Sequence, residues 1–143
     1  MPSAKQDIVE YLEKFFPPSL AKCTIQDVGN KGATLIWHVA EDDLRPGGTV
    51  SGPTMMALAD LAMYVAIMGE IGLVGLAVTT NMNINFLRKP AGGESLYGVC
   101  KLMKVGKALI VGEVWIYSEH QQDEPVAHVT GTYSVPPQRT KQV

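Results

Sequence analysis

Apolar residues recur along the chain with two different spacings, and the changes in spacing predict where helices and strands lie. Near the N-terminus Ile8, Leu12 and Phe15 follow one another at intervals of three to four residues, which predicts a short amphipathic helix. The sequence FPPSL then ends that helix, because proline cannot continue a helix interior. Residues 33–40, ATLIWHVA, mix β-branched, aromatic and aliphatic side chains and predict a strand, preceded by another at 24–29.

The longest apolar segment runs from Pro53 to Met68 and carries one charged side chain, Asp60. It follows the loop EDDLRPGGTV, and a proline at its start with Gly69 at its end predicts a helix. Apolar residues cover every face of this helix rather than one stripe, which indicates that protein encloses it. The segment is too short for a membrane span, and a central aspartate would be costly in lipid, so we expect no membrane insertion.

Four further strands are predicted after the helix, at residues 76–89, 94–105, 108–120 and 125–135. The breaks between them are short and turn-like, which favours antiparallel neighbours. The third strand alternates most clearly, and one of its faces carries Ile110, Gly112, Val114, Ile116 and Ser118. We therefore predict an α+β domain in which an antiparallel meander wraps around the apolar helix. One chain would cover only part of that helix, so a second copy is expected to cover the rest.

Composition excludes several classes of function. The length favours a single domain, 1–143, with no internal repeat or linker. The net charge is −2 and the basic residues are scattered, which argues against nucleic-acid binding. Cys23 and Cys100 form no CxxC pair and no signal peptide is evident, so we expect reduced thiols in a cytoplasmic protein. No metal or cofactor is expected, because the three histidines fall on separate predicted strands without metal-ligand spacing: His38, His120 and His128.

A lone carboxylate in an apolar helix is costly unless it is paired, hydrogen-bonded or neutralised. Asp60 could bond an amide or hydroxyl group at a subunit contact, or it could be a functional carboxylate, since such groups collect in active sites. The start of the helix favours a functional role. The N–H of Gly52 has no intrahelical partner and lies at the positive end of the helix dipole, where it could bind an oxyanion. Ser51 is expected to cap the helix rather than to act as a nucleophile.

The spacing of Gly52 and Asp60 constrains the site further. Asp60 lies eight residues beyond Gly52, which separates the two by about 12 Å along a helix axis. A base and an oxyanion donor must both lie about 3 Å from one reacting carbon, so one chain cannot easily supply both. Two antiparallel helices related by a two-fold axis could. The spacing therefore implies a homodimer with two composite sites, or a homotetramer built from two such dimers.

The order of elements and the segment VSGPTMMALAD resemble those of the hotdog-fold acyl-CoA thioesterases, in particular the phenylacetate-degradation type, over roughly residues 30–135. That family has a His-Gly-Gly helix start and an acidic residue eight positions after the first glycine, and Gly52 and Asp60 keep this spacing. The resemblance implies a hotdog fold and hydrolysis of an acyl-CoA thioester. It also implies that the Gly52 N–H polarises the carbonyl and that Asp60 is the general base or nucleophile.

The same register extends the resemblance to three more residues. Thr79 falls where the family has a Ser or Thr that positions the attacking water, although a threonine is also simply typical of strands. Arg88 and Lys89, in FLRKP, correspond to basic residues that lie near the coenzyme A phosphates, with a solvated strand end as the alternative.

Two departures from the family pattern keep other functions open. Ser51-Gly52-Pro53 replaces His-Gly-Gly, and proline removes one N–H, which leaves those of Gly52 and Thr54 as donors to substrate. Arg45 replaces the family asparagine, where it could bind substrate or pair with the neighbouring aspartates 42 and 43. A non-catalytic acyl-CoA-binding or sensing protein is therefore the alternative to a thioesterase. A hotdog dehydratase is less favoured, because no catalytic histidine lies in the loop before the helix.

Overall fold

Six antiparallel strands form one sheet, and one face of this sheet packs against a long apolar helix. The structure, a computed structural model, describes residues 2–137. Its α-helices are α1 (Lys5–Phe15) and α2 (Gly52–Ile71). Its strands are β1 (Cys23–Gly29), β2 (Gly32–Trp37), β3 (Val78–Phe86), β4 (Leu96–Val105), β5 (Leu109–Ser118) and β6 (Ala127–Ser134). This α+β arrangement is the hotdog fold expected from the sequence.

Strand β5 shows how the sheet separates its two faces. The positions predicted to share one face are all buried, whereas those between them are half-exposed. Glycine at two paired inward positions, Gly112 and Gly131, lets α2 approach the sheet closely. A Cβ added at Gly131 would lie 2.7 Å from Sδ of Met63 on α2. The sheet therefore fixes the position of the helix that carries Asp60.

Helix α2 is buried over most of its surface, but one strip stays open. By length and hydropathy it is the one described helix that could cross a membrane, yet 61% of that window is buried inside the domain. Pro53, Met56 and Ala57 are exposed, Met56 by 40%, and the strip continues to the half-buried Asp60. A single chain thus covers only part of α2, as predicted.

The predicted end of this helix at Gly69 is wrong. Helix α2 continues to Ile71 and stops at Gly72, whose φ of 109° favours glycine. Gly69 lies inside the helix, where the absence of a side chain lets it contact Val28 of β1.

The predicted four-strand meander is wrong for its first strand. Strands β4, β5 and β6 are consecutive antiparallel neighbours, but β3 pairs with β6 rather than with β4. Strand β2 occupies the other edge of β4, so β3 has to cross to the far side of the sheet. There it forms an edge strand on which Val78 is 57% and Phe86 50% exposed.

The two cysteines lie in the core, as predicted. Cys23 and Cys100 are free and buried, and burial raises the pKa of each thiol to about 12. Neither is therefore a reactive thiolate near neutral pH. Of the histidines, His128 lies on β6, whereas His38 and His120 lie just beyond the ends of β2 and β5 rather than within strands.

Candidate active site

Two hydroxyl groups hold the carboxylate of Asp60 on the open side of α2. Thr79 Oγ1 donates a hydrogen bond to Asp60 Oδ1 over 2.6 Å, and the Tyr133 hydroxyl lies 2.7 Å from the same oxygen. Thr79 on β3 and Tyr133 on β6 are direct partners in the sheet, which brings both hydroxyls to one point. Within residues 2–137 Oδ2 makes no hydrogen bond. Asp60 therefore presents one fixed oxygen and one open oxygen.

Tyr133 is not among the site residues expected from the sequence. It is 3% exposed, and its hydroxyl also lies 3.0 Å from the Asp60 carbonyl oxygen. Burial first, and then the Asp60 charge, raise the pKa of Tyr133 far above its ordinary value, so the hydroxyl stays protonated and can donate. The alternation of β6 was a usable signal, because it places Tyr133 on the inner face with Val129 and Gly131.

An open groove of about 780 Å³ begins at Asp60. It runs between α2, residues 75–79 and the C-terminal end of α1. Its walls are mainly aromatic and aliphatic, with Tyr11, Phe15, Phe16, Leu61, Tyr64 and Leu76 among them. The hydroxyl of Tyr64 on α2 donates to the carbonyl oxygen of Gly75 over 2.8 Å. This bond holds residues 75–79, which form one side of the groove, against α2. Among the described residues Asp60 is the one charged residue that lines the groove.

The first turn of α2 offers one unoccupied N–H group. Ser51 caps the helix, as predicted, since its Oγ accepts the N–H of Thr54 over 3.3 Å. The N–H of Thr54 is therefore not free for substrate, contrary to expectation, and Pro53 has no N–H. Within residues 2–137 the N–H of Gly52 has no acceptor. Gly52 is thus the donor that the helix start leaves available.

An aromatic ring lies directly against Gly52. A Cβ added at Gly52 would be 3.1 Å from Cζ of Phe86, at the end of β3. The chain then passes beside the helix start, because the N–H of Val50 donates to the Pro90 carbonyl oxygen over 3.1 Å. Residues 86–90 therefore border the position of the Gly52 N–H.

A buried carboxylate, Asp43, holds the helix start in place. Its oxygens accept hydrogen bonds from Trp37 Nε1 at 3.2 Å, the Ala40 N–H at 2.9 Å and Thr54 Oγ1 at 3.1 Å, and Lys22 Nζ lies 3.0 Å away. Burial alone would raise the pKa of Asp43, but these partners together lower it. The sequence did not reveal this role.

The cationic residues differ in their partners. Lys22 pairs with Asp42 and Asp43, and the alternative in which Arg45 pairs with either aspartate is not seen within residues 2–137. Arg45 and Lys89 are exposed, and their side chains make no hydrogen bond or ion pair within the described chain.

Arg88 is partly engaged by the protein itself. It donates to the Pro125 carbonyl oxygen over 2.5 Å and lies 3.9 Å from Glu124. Among residues 2–137 no cluster of three or more His, Cys, Asp or Glu side chains could hold a metal ion.

Of the predicted catalytic residues, the structure brings Asp60 and Thr79 into contact, but it does not bring Gly52 to them. Gly52 and Asp60 lie eight positions apart on one helix, so they stay about 12 Å apart along its axis. One chain therefore presents a held carboxylate at one place and a free N–H at another.

Comparison with known proteins shows the family of the chain. The model of the thioesterase superfamily matches residues 47–124, a range that contains Gly52, Asp60 and Thr79. A candidate thioesterase from Silicibacter sp. TM1040 is 42% identical, with a TM-score of 0.85 over 94% of this chain and 92% of that one. Comparison with curated protein sequences gives no match.

More distant structures share the fold. The PaaI protein of the E. coli phenylacetic acid degradation operon is 20% identical, with a TM-score of 0.80 and 92% of each chain covered. Zebra fish thioesterase superfamily member 2 is 21% identical, with a TM-score of 0.79 over 94% of this chain and 100% of that one.

Proposed function

The chain belongs to the thioesterase superfamily and is a thioester hydrolase, and we propose that its substrates are acyl-coenzyme A thioesters. The observation that carries the proposal is the Asp60 carboxylate, held through Oδ1 at the mouth of an apolar groove with Oδ2 open. A carboxylate in this setting can take a proton from water beside a bound thioester. The groove supplies an apolar surface for the acyl group.

We assign the second catalytic group, the oxyanion donor, to the N–H of Gly52 in a second copy of the chain. The donor is free and lies at the positive end of the α2 dipole. The open strip of α2 and the exposed edge strand β3 favour a partner subunit, because they leave apolar side chains such as Met56 and Val78 uncovered. An antiparallel pair of α2 helices would bring Gly52 of each chain to Asp60 of the other.

The proposed reaction is general-base hydrolysis. Asp60 Oδ2 takes a proton from water as the water oxygen bonds to the carbonyl carbon, and the carbonyl oxygen becomes an oxyanion bound by the Gly52 N–H. The carbon–sulfur bond then breaks, and the departing thiolate takes the proton back from Asp60. The products are a carboxylic acid and the thiol of coenzyme A. If Oδ2 instead attacked the carbon, an acyl anhydride would form on Asp60 before water entered.

The charges of the site favour particular parts of the substrate. Asp60 is the one charge that residues 2–137 place in the groove, so an uncharged acyl group is favoured over one that ends in a carboxylate. Arg45 and Lys89 are exposed, and residues 86–90 run beside the helix start. These cations, together with Arg88, are the residues that we propose to attract the coenzyme A phosphates. Ser51 and Thr54 serve this site by fixing the helix start rather than by binding substrate directly.

One observation favours the alternative, a non-catalytic acyl-CoA-binding protein. Within the part of the chain that the structure describes, Pro53 and the Ser51 cap leave a single free N–H at the helix start, and each donor to an oxyanion is worth about a hundredfold or more in rate. A binding protein would retain the groove and the cations without rapid turnover.

A hydrolysis assay tests the proposal. Acetyl-, hexanoyl-, decanoyl-, phenylacetyl- and succinyl-CoA are supplied to the purified protein, and the released thiol is measured. We expect the apolar acyl groups to be hydrolysed faster than succinyl-CoA, and Asp60→Asn to lower kcat by about a thousandfold, because an amide cannot accept the proton. Asp123→Asn, an exposed carboxylate beyond β5, is the control and should match the wild type.

Two results would decide against this assignment. Equal rates for the wild type and Asp60→Asn would show that Asp60 is not the base. Binding of acyl-CoA without release of thiol from any member of the panel would establish the binding protein instead.

A further inference from the structure

Within residues 2–137 the Tyr133 hydroxyl donates towards two oxygens, both of Asp60, and Thr79 lies beside it. The hydroxyl lies 2.7 Å from Oδ1 and 3.0 Å from the Asp60 carbonyl oxygen. A phenol has one proton, so it donates to one of these oxygens at a time. While the carboxylate is charged, Oδ1 is the stronger acceptor, because a hydrogen bond to an ionised group is shorter and stronger.

The surroundings of Tyr133 restrict it to this role. The side chain is 3% exposed on the inner face of β6, and its ring stacks on that of Tyr64 at 6.2 Å between centroids. The hydroxyl cannot turn to solvent, and leaving it without an acceptor would be costly. When Asp60 takes up a proton, the backbone carbonyl offers a second acceptor, so the buried hydroxyl stays satisfied in both charge states of Asp60.

We propose that Tyr133 is a positioning residue for the catalytic carboxylate. Its hydroxyl, with that of Thr79, fixes Oδ1 so that Oδ2 is the oxygen presented to water. This proposal rests on the proposed function, in which Asp60 is the general base. Thr79 donates from the edge strand β3, whereas Tyr133 donates from the buried end of β6. The two donors therefore bind one oxygen from two neighbouring strands.

The first test compares Tyr133→Phe with the wild type. The substitution removes the hydroxyl and keeps the ring. We expect kcat to fall about tenfold with KM changed less than about twofold, because the hydroxyl acts on the base rather than on substrate. Tyr117→Phe, on the opposite face of the sheet, is the matched control and should leave both unchanged.

A second substitution is the positive control. Incorporation of 3-fluorotyrosine at position 133 keeps the ring and the hydroxyl, so kcat should stay within about twofold of the wild type. The carbonyl and carboxyl ¹³C signals of Asp60, recorded at one pH without turnover, should move in Tyr133→Phe and stay in place in Tyr117→Phe.

The outcomes separate the two proposals. Turnover that depends on Asp60, with an unchanged kcat in Tyr133→Phe, would overturn the role of Tyr133 and leave the proposed function standing. Loss of stability in Tyr133→Phe, measured by thermal unfolding, without a change in the Asp60 ¹³C signals, would show that Tyr133 is structural only. A wild type that hydrolyses no thioester would overturn the proposed function, whatever the Tyr133 variants show.

Discussion

A single buried carboxylate, Asp43, joins the helix that carries the site to the strand and loop beside it. It is 4% exposed and accepts bonds from Trp37, Ala40 and Thr54 while pairing with Lys22. These partners come from three different parts of the chain, so the position of the Gly52 N–H depends on them. A residue with no part in the chemistry thus determines where one catalytic group lies.

Replacing Asp43 with alanine should lower the free energy of unfolding by about 2–4 kcal/mol, because buried donors lose their acceptor and Lys22 loses its buried partner. Urea denaturation measures the change. Asp42→Ala is the matched control: Asp42 pairs with the same lysine, but its side chain is 72% exposed, so the loss should stay below about 1 kcal/mol. Equal losses in the two variants would show that the network around Asp43 contributes little.

The pH dependence of stability gives an independent check on Asp43. Its pKa is lower in the folded chain than the ordinary value of 3.8, so the unfolded chain binds the proton more readily. The stabilisation is therefore complete above that ordinary value and is lost as pH falls through the folded one. We expect the wild type to lose more stability than Asp43→Asn as the pH falls from about 5 through the ordinary value and below it. Parallel pH profiles for the two proteins would contradict this.

The sequence predicts those site residues whose role follows from their local surroundings in the chain, and it misses those whose role depends on long-range contacts. Asp60 is evident because one charge in an apolar helix needs an explanation, and Gly52 follows from the local chemistry of a helix start. Tyr133 lies 73 residues from the carboxylate that it contacts. The role of Asp43 likewise depends on contacts with Lys22 and Thr54, which lie 21 and 11 residues away in sequence. Contacts of this kind depend on how strands pair, which periodicity along the chain does not specify.

At the scale of elements, α2 ends where backbone conformation requires glycine rather than at the first glycine after the apolar run. Gly69 and Gly72 look alike in sequence, but only Gly72 adopts a positive φ. At position 69 glycine is required for a different reason, because the side chain of Val28 lies too close for a Cβ. The same limit applies to β3, whose own alternation cannot show that β2 already occupies the neighbouring edge. Elements were therefore predictable, and their order in the sheet was not.

Gly69→Ala tests this reading of the helix. Helix propensity alone predicts a gain of about 1 kcal/mol in stability. We expect instead a loss of about 1–3 kcal/mol, because the new Cβ would overlap Cγ1 of Val28. The double variant Gly69→Ala with Val28→Ala should lose less stability than the sum of the losses in the two single variants, because the smaller side chain at position 28 makes room for the new Cβ. Thermal or urea unfolding would measure this. A stabilised single variant would indicate that β1 can move away from α2.

At the scale of the whole molecule, the free N–H and the held carboxylate are complementary halves that one chain keeps apart. The uncovered strip of α2 begins next to Gly52 and reaches Asp60. A partner helix laid antiparallel on that strip would therefore cover the apolar residues and complete two sites at once. The apolar surface and the divided chemistry lead to the same arrangement from separate observations.

Mixing two inactive variants tests whether the site is shared. Gly52→Val places a side chain against the ring of Phe86 and displaces the N–H, while Asp60→Asn removes the base. In a dimer with composite sites, a heterodimer of the two has one intact site. Random association makes half of the dimers heterodimers, so a one-to-one mixture should regain about a quarter of wild-type activity. A site within one chain would leave the mixture inactive.

The control for this experiment combines residues from the same half of the site. Thr79 and Asp60 contact each other within one chain, so a dimer of Thr79→Val with Asp60→Asn contains no intact site. Its activity should equal the mean of the two variants measured alone. Recovery in the first mixture but not in the second would place Gly52 across the interface from Asp60 and Thr79. Recovery in both would mean that the chain partners in some other way, with Thr79 and Asp60 acting from different subunits.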